Sequence, residues 1–365
     1  MDLTFISPKD GDMLSDVAGT PRDGALWIDV QIDAPRDCTV TVNGSNAQWN
    51  GQYFLATVPL TSYCNALTAN CGNDSDTIQV YWLKNAANKY TVSIDDNIWA
   101  FADLTKNADK YNSIFDNAFL NIFKQAHDLY GAKVRLNLFY EMDNPCGLDL
   151  YGPFNLSMMT DKFKEEFKAN AHWLHLAFHA KSEFPDDPYR NATYAQIHQD
   201  FTEIYREIIR FAGEECFEWT TTNHFGSGTR EAVAAERDLG IRGLMGYLTL
   251  TKDGDPYVSY YLSKEQVLHA NEYGLWKDHS LGMIFGKIDV VLDTMDIEAA
   301  AAFLDEAKAM YPKKGVMQVM THEQYFYPTY CNYIPDYTQR ILTACAWCQE
   351  NGYTPAFSCE ILDIC

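Results

Sequence analysis

Lys89-Tyr90-Thr91-Val92-Ser93-Ile94-Asp95-Asp96-Asn97 is an alternating apolar run that climbs to Ile94 and stops at two adjacent carboxylates. In an extended chain Thr91, Ser93 and Asp95 fall on one face, and Tyr90, Val92 and Ile94 on the other. Charge begins where the strand ends, and α/β barrels place their chemistry at the C-terminal ends of parallel strands. Asp and Asn also favour turns and helix caps, so on its own Asp95-Asp96-Asn97 reads equally well as a cap cluster. The flanking sequence tips the balance.

Downstream of residue 85, strand-length apolar runs alternate with helix-length segments. Strands are predicted at 90–94, 133–140, 173–178, 217–222, 241–248, 281–292, 315–321 and 354–361. Ile114, Ala118, Phe119, Ile122 and Ala126 recur at three- and four-residue steps before Gly131, and 161–171, 195–211, 298–310 and 336–351 are also patterned as helices. Repeated β-then-α order predicts an α/β fold with a parallel sheet. Seven or eight units over residues 87–365 predict a (β/α) barrel. The alternative is a doubly wound open sheet, but no Gly-rich phosphate loop follows the first strand.

Upstream, residues 1–86 read as all-β. Short runs at 3–7, 25–32, 38–42, 54–58 and 78–83 are separated by turn signals such as Asn43-Gly44 and Asn50-Gly51. This pattern predicts a small immunoglobulin-like β-sandwich, either an accessory packing domain or a sugar-binding one.

The composition sets limits. The 365 residues are 47% hydrophobic, enough for a sizeable core, and carry a formal net charge of -22. That charge argues against a nucleic-acid or anionic-membrane partner, because phosphate binding needs a basic patch. No run of about 18 apolar residues suggests a membrane span. The first residues lack the basic and apolar regions of a signal peptide, so a cytoplasmic location is expected unless a signal was removed. Ten Cys in a chain this long is no disulfide scaffold, although Cys64 and Cys71 could close a small loop under oxidising conditions.

The strand ends carry the chemistry. The first ends in Asp95-Asp96-Asn97, the second in Tyr140-Glu141, the third in His179, the fourth in Asn223-His224 and the seventh in His322-Glu323. His and Asp together are the ligand set for zinc or a similar divalent metal. His175 and His179 have the four-residue spacing of a helical ligand pair, but they lie in a strand pattern. Four strand residues cover about 13 Å, too far to share one ion, so His179 is the functional one.

These strand ends resemble the motifs of the polysaccharide deacetylase superfamily of carbohydrate esterases. That family's first motif, Thr-Phe-Asp-Asp-Gly, is matched by Ser93-Ile94-Asp95-Asp96-Asn97. Its second, His-Ser/Thr-x-x-His-Pro, is nearest to His179-Ala180-Lys181-Ser182-Glu183-Phe184-Pro185, with Glu183 in place of the second His. Its third, Arg-x-Pro-Tyr-Gly, falls at Thr222-Asn223-His224-Phe225-Gly226, which lacks the Arg and Pro. Its fifth, a strand ending in His, falls at Val319-Met320-Thr321-His322.

The resemblance implies a divergent member that removes acetyl groups from acetylated amino sugars with a divalent metal, zinc being the one expected. It implies Asp95 as general base, Asp96 and His179 as metal ligands and His322 as general acid, with His224 or Glu183 as the third ligand. The Phe225 backbone N–H is assigned to the oxyanion, and Arg230 to Asp95, although Arg230 equally suits a helix surface. Trp99, Tyr325 and Tyr327 follow two of the strand ends and suit either sugar stacking or loop packing. Two rival functions stay open: a glycoside hydrolase using Glu141 with Asp95, and a non-catalytic carbohydrate-binding protein.

Overall fold

The computed structural model describes residues 3–364. Its first part is built from strands. One sheet orders Thr4–Ser7, Ala25–Asp33, Phe54–Leu60 and Gln48–Trp49, with Thr20–Arg22 also paired to Ala25–Asp33. The other orders Met13–Ser15, Asp74–Leu83, Cys64–Cys71, Val40–Val42 and Ser45–Asn46. Alternation directs Leu26, Ile28, Val30 and Ile32 inward, where they share one core with Val58, Leu60, Leu67 and Val80.

The Cys64–Cys71 strand escaped the sequence pattern because only Leu67, Ala69 and Cys71 of its residues are buried. It also rules out the expected Cys64–Cys71 pairing. The two residues stand at opposite ends of an extended strand, about 23 Å apart at the usual rise per residue. Cys71 is bonded instead to Cys38, and Cys146 to Cys331.

The remainder is mixed α/β. Lys89–Asn97 lies at the centre of a sheet, paired in parallel with Val134–Phe139 on one side and Val316–His322 on the other. Leu174–Ala180 extends it beyond Val134–Phe139, and Val290–Val291 beyond Val316–His322. A second sheet pairs Thr220–Thr221, Gly243–Gly246 and Met283–Lys287 in parallel, with Leu275–Asp278 antiparallel at its edge. The two sheets are linked by the Leu176–Phe217 bridge. They are linked again where the chain leaves Met283–Lys287 and joins the first sheet at Val290–Val291. Every residue of Val134–Phe139 is buried, as expected of a parallel strand covered on both faces.

Helix termini follow local chemistry. Asn117 caps Ala118–Tyr130 by accepting from Leu120 N, and Gly131, at φ +66, ends it. The strand expected at 354–361 is mostly absent. Only Thr354–Pro355 pairs with the central strand, and Ser358–Leu362 is a helix. A short apolar run does not distinguish strand from helix by itself. Among the described residues no helix is long and apolar enough to cross a membrane. A bridging cluster of Met13, Tyr81 and Leu83 with Met245, Leu275 and Ile284 packs the first part against the second.

Glu323 follows the strand Val316–His322 and caps the helix that follows Lys89–Asn97. Its carboxylate accepts from Ile98 N (2.7 Å), Trp99 N (3.2 Å) and Ala100 N (2.6 Å), at the start of Trp99–Lys106, and from Tyr327 Oη (2.5 Å). Glu323→Ala leaves those buried donors without a partner. It should cost about 3 kcal/mol or more, read as a lower urea midpoint at unchanged m.

Candidate metal centre and cleft

The central strand does not end as a regular strand. Its register with Val134–Phe139 slips between Ile94 and Asn97, and Asp96 takes a left-handed conformation at φ +62. Asp tolerates this region better than most residues. The Asn97 side chain steadies the irregularity by donating to the Ile94 carbonyl (2.6 Å) and the Asn137 carbonyl (3.0 Å). Strict alternation would send Asp95 and Asp96 to opposite faces; with the slip, both line one cleft of about 520 Å3.

Opposite Asp96 stand His179, near the end of Leu174–Ala180, and His224, just after Thr220–Thr221. His179 Nδ1 donates to the Thr222 carbonyl (2.5 Å), so Nε2 keeps its lone pair when the ring is neutral. That Nε2 faces Asp96 Oδ1 at 2.9 Å and His224 Nδ1 at 3.1 Å, and Asp96 Oδ1 and His224 Nδ1 are 3.2 Å apart. Ligand atoms around one ion with metal distances of about 2.0–2.1 Å are themselves about 3.0–3.4 Å apart. The donor set therefore fits a divalent metal in both chemistry and spacing. Burial opposes the charge on Asp96, but His224 and His179 outweigh it and hold the carboxyl well below its usual range. Its second oxygen accepts from Gln324 Nε2 (2.6 Å), which fixes the carboxylate's orientation.

Asp95 is buried and accepts from Asn137 Nδ2 (2.5 Å). The buried guanidinium of Arg135, two residues earlier on that strand, bonds Thr220, Thr222 and Ser358 and adds positive charge near Asp95. Arg230, the cation expected there, is not available: it pairs with Asp278 (2.7 Å) at the surface, where its side chain is 52% exposed.

Across the cleft, His322 Nδ1 is bound to the Asp293 carboxylate. Burial disfavours the imidazolium, but Asp293 overcomes this and raises the ring's pKa to about 10. Asp293 and Gln324 were both missed in the sequence. Asp293 had a signal, since it closes the 281–292 run as Asp95 closes the first, whereas nothing local marks Gln324.

No family model matches the chain, and neither does any curated protein. Solved structures do. A peptidoglycan N-acetylglucosamine deacetylase is 10% identical, with a TM-score of 0.40, over 76% of this chain and 89% of that one. A family 4 acetyl xylan esterase from Clostridium thermocellum, solved with a cobalt ion, is 11% identical, with a TM-score of 0.37, over 75% and 90%. A CE4 family pseudoenzyme from Bacillus anthracis is 12% identical, with a TM-score of 0.34, over 77% and 67%.

The other expected site residues divide by exposure. Phe225, Tyr325 and Glu183 line the cleft, and Phe225 is 39% exposed. Glu183 lies outside the tight Asp96–His179–His224 group. Burial first, then the Asp96 charge, raises its pKa to about 7, and its Oε2 has no hydrogen-bond partner. Trp99 and Tyr327 are corrected: both are buried and packed edge to face at 6.3 Å, without the open ring face that sugar stacking needs. Glu141 is corrected too. It is exposed, bridged to Asn155 and outside the cleft lining, so a glycosidase using Glu141 with Asp95 lacks its second carboxylate. The remaining His/Glu/Cys group, His175, Glu218 and Cys359, lies outside this cleft. His175 bonds Glu218 (2.6 Å) and stacks on Phe357, and Cys359 is disulfide-bonded, which removes its thiolate as a ligand.

Proposed function

We propose that this chain is a metal-dependent hydrolase that removes acetyl groups from an acetylated sugar or amino sugar. In this reading the catalytic part is a (β/α) barrel over residues 87–365, and residues 1–86 are a β-sandwich accessory domain. The convergence of Asp96, His179 and His224 beside Asp95, opposite the His322–Asp293 pair, carries the reading.

Asp96 Oδ1, His179 Nε2 and His224 Nδ1 would hold the ion, with zinc favoured by two imidazoles and a carboxylate. Bound there, the metal would supply Lewis-acid polarisation and a more acidic water. Asp95, steadied by Asn137, takes a proton from the attacking water. His322, kept protonated by Asp293, gives a proton to the leaving nitrogen or oxygen. The Phe225 backbone N–H is assigned to the oxyanion. Phe225, Tyr257 and Tyr325 offer aromatic faces to a sugar ring along the cleft.

Elemental analysis of protein purified without chelator tests the site. Near-stoichiometric divalent metal in the wild type, lost in both His179→Ala and Asp96→Ala, is the expected result. Wild-type protein that takes up no metal even after soaking would defeat the mechanism.

A further inference from the structure

A second cavity, of about 430 Å3, opens between the Lys264–Tyr273 and Ile297–Met310 helices. Tyr247 is common to its lining and that of the cleft. The walls are largely apolar, with Leu248, Phe303 and Ala307 among them. Two more lining residues, Leu268 and Met310, are 50% and 57% exposed, so apolar surface also faces solvent at the mouth. Lys287, by contrast, is only 9% exposed.

The setting of Lys287 is unusual for a buried amine. Its Nζ donates to the Tyr247 carbonyl and lies 4.0 Å from the centre of that ring. Among the described residues it makes no ion pair. The nearby Asp289 is already engaged: one oxygen is bound to Lys314 Nζ, and the other accepts from Gln318 N (2.8 Å). Burial lowers the Lys287 pKa to about 8, against the pull of Asp289. A lone desolvated cation is costly without a counter-charge. An ammonium has three donors and the Tyr247 carbonyl occupies one, which leaves two for a pair of carboxylate oxygens. The volume suits a small organic molecule. The other acid in the lining, Glu306, is exposed and so solvated.

We propose that this cavity binds a small amphipathic carboxylic acid, its apolar body against Leu248, Phe303 and Ala307 and its carboxylate on Lys287 Nζ. The site is separate from the proposed deacetylation chemistry and stands or falls independently of it.

Calorimetric titration of the full chain at neutral pH tests this with 4-phenylbutyrate and its uncharged counterpart 4-phenylbutan-1-ol. The acid should bind one to one and about tenfold or more tighter than the alcohol, the scale of one charge-assisted contact. Lys287→Met should remove that difference and leave the alcohol unchanged. Ala307→Phe, which fills the cavity while keeping Lys287, should remove binding of both. If Lys287→Met fails to fold by circular dichroism, the decision passes to Ala307→Phe and to wild-type titrations above the amine's pKa, where the acid should lose its advantage. The proposal is overturned if wild type does not bind the acid at millimolar concentration. Equal binding of acid and alcohol, or acid binding that survives Ala307→Phe, also overturns it.

Discussion

Asp95→Asn is expected to lower kcat on an acetylated sugar by about two to four orders of magnitude, the usual worth of a positioned general base. Bound metal should stay at the wild-type level, because Asp95 is not among the three converging donor atoms. The substitution keeps the side chain's shape, and the Asn oxygen still accepts from Asn137 Nδ2. Loss of turnover therefore reports the missing base and not a collapsed site. Paired steady-state kinetics and elemental analysis give the result. Turnover unchanged beside a full metal complement would show that Asp95 is not the base.

Asp293→Asn should do comparable damage by a different route. Asp293 keeps the His322 imidazolium charged up to about pH 10 in a partly buried place that otherwise disfavours it. Without that carboxylate the ring loses its proton at lower pH. The alkaline limb of the kcat profile should move down by about one unit or more, with at least a tenfold loss on that limb. Stability should respond in the same sense. A His whose folded pKa is raised contributes stability fully below its unfolded value of about 6.5 and loses it as pH rises through the folded value of about 10. The gap between wild type and Asp293→Asn in urea unfolding should therefore be wide near about pH 6 and narrow by about pH 10. An alkaline limb that does not move would remove His322 from the role of proton donor.

Much of the fold was legible in the sequence. The β-then-α rhythm after residue 85 follows from hydrophobic periodicity, a local property, and the structure is mixed α/β there, with parallel strands. Segments that periodicity left ambiguous were misread, as where Ser358–Leu362 proved to be helix. The Cys64–Cys71 strand was overlooked because only Leu67, Ala69 and Cys71 of its eight residues face inward.

The site divides in the same way. By itself the sequence determined that Asp95, Asp96, His179, His224 and His322 stand at or just beyond strand ends, because apolar runs stop there and parallel strands end on one side of a sheet. Only the tertiary structure decided which of them meet. It sets His224, not Glu183, within ligand distance of Asp96 and His179, and supplies Gln324, Asn137 and Asp293 as their supports. It also withdraws Trp99 and Tyr327 into the core under Glu323. The physical reason is range. Periodicity and capping act over a few residues, whereas Asp96 meets His179 across 83 residues and Gln324 across 228, through strand register and a bulge that no local pattern encodes.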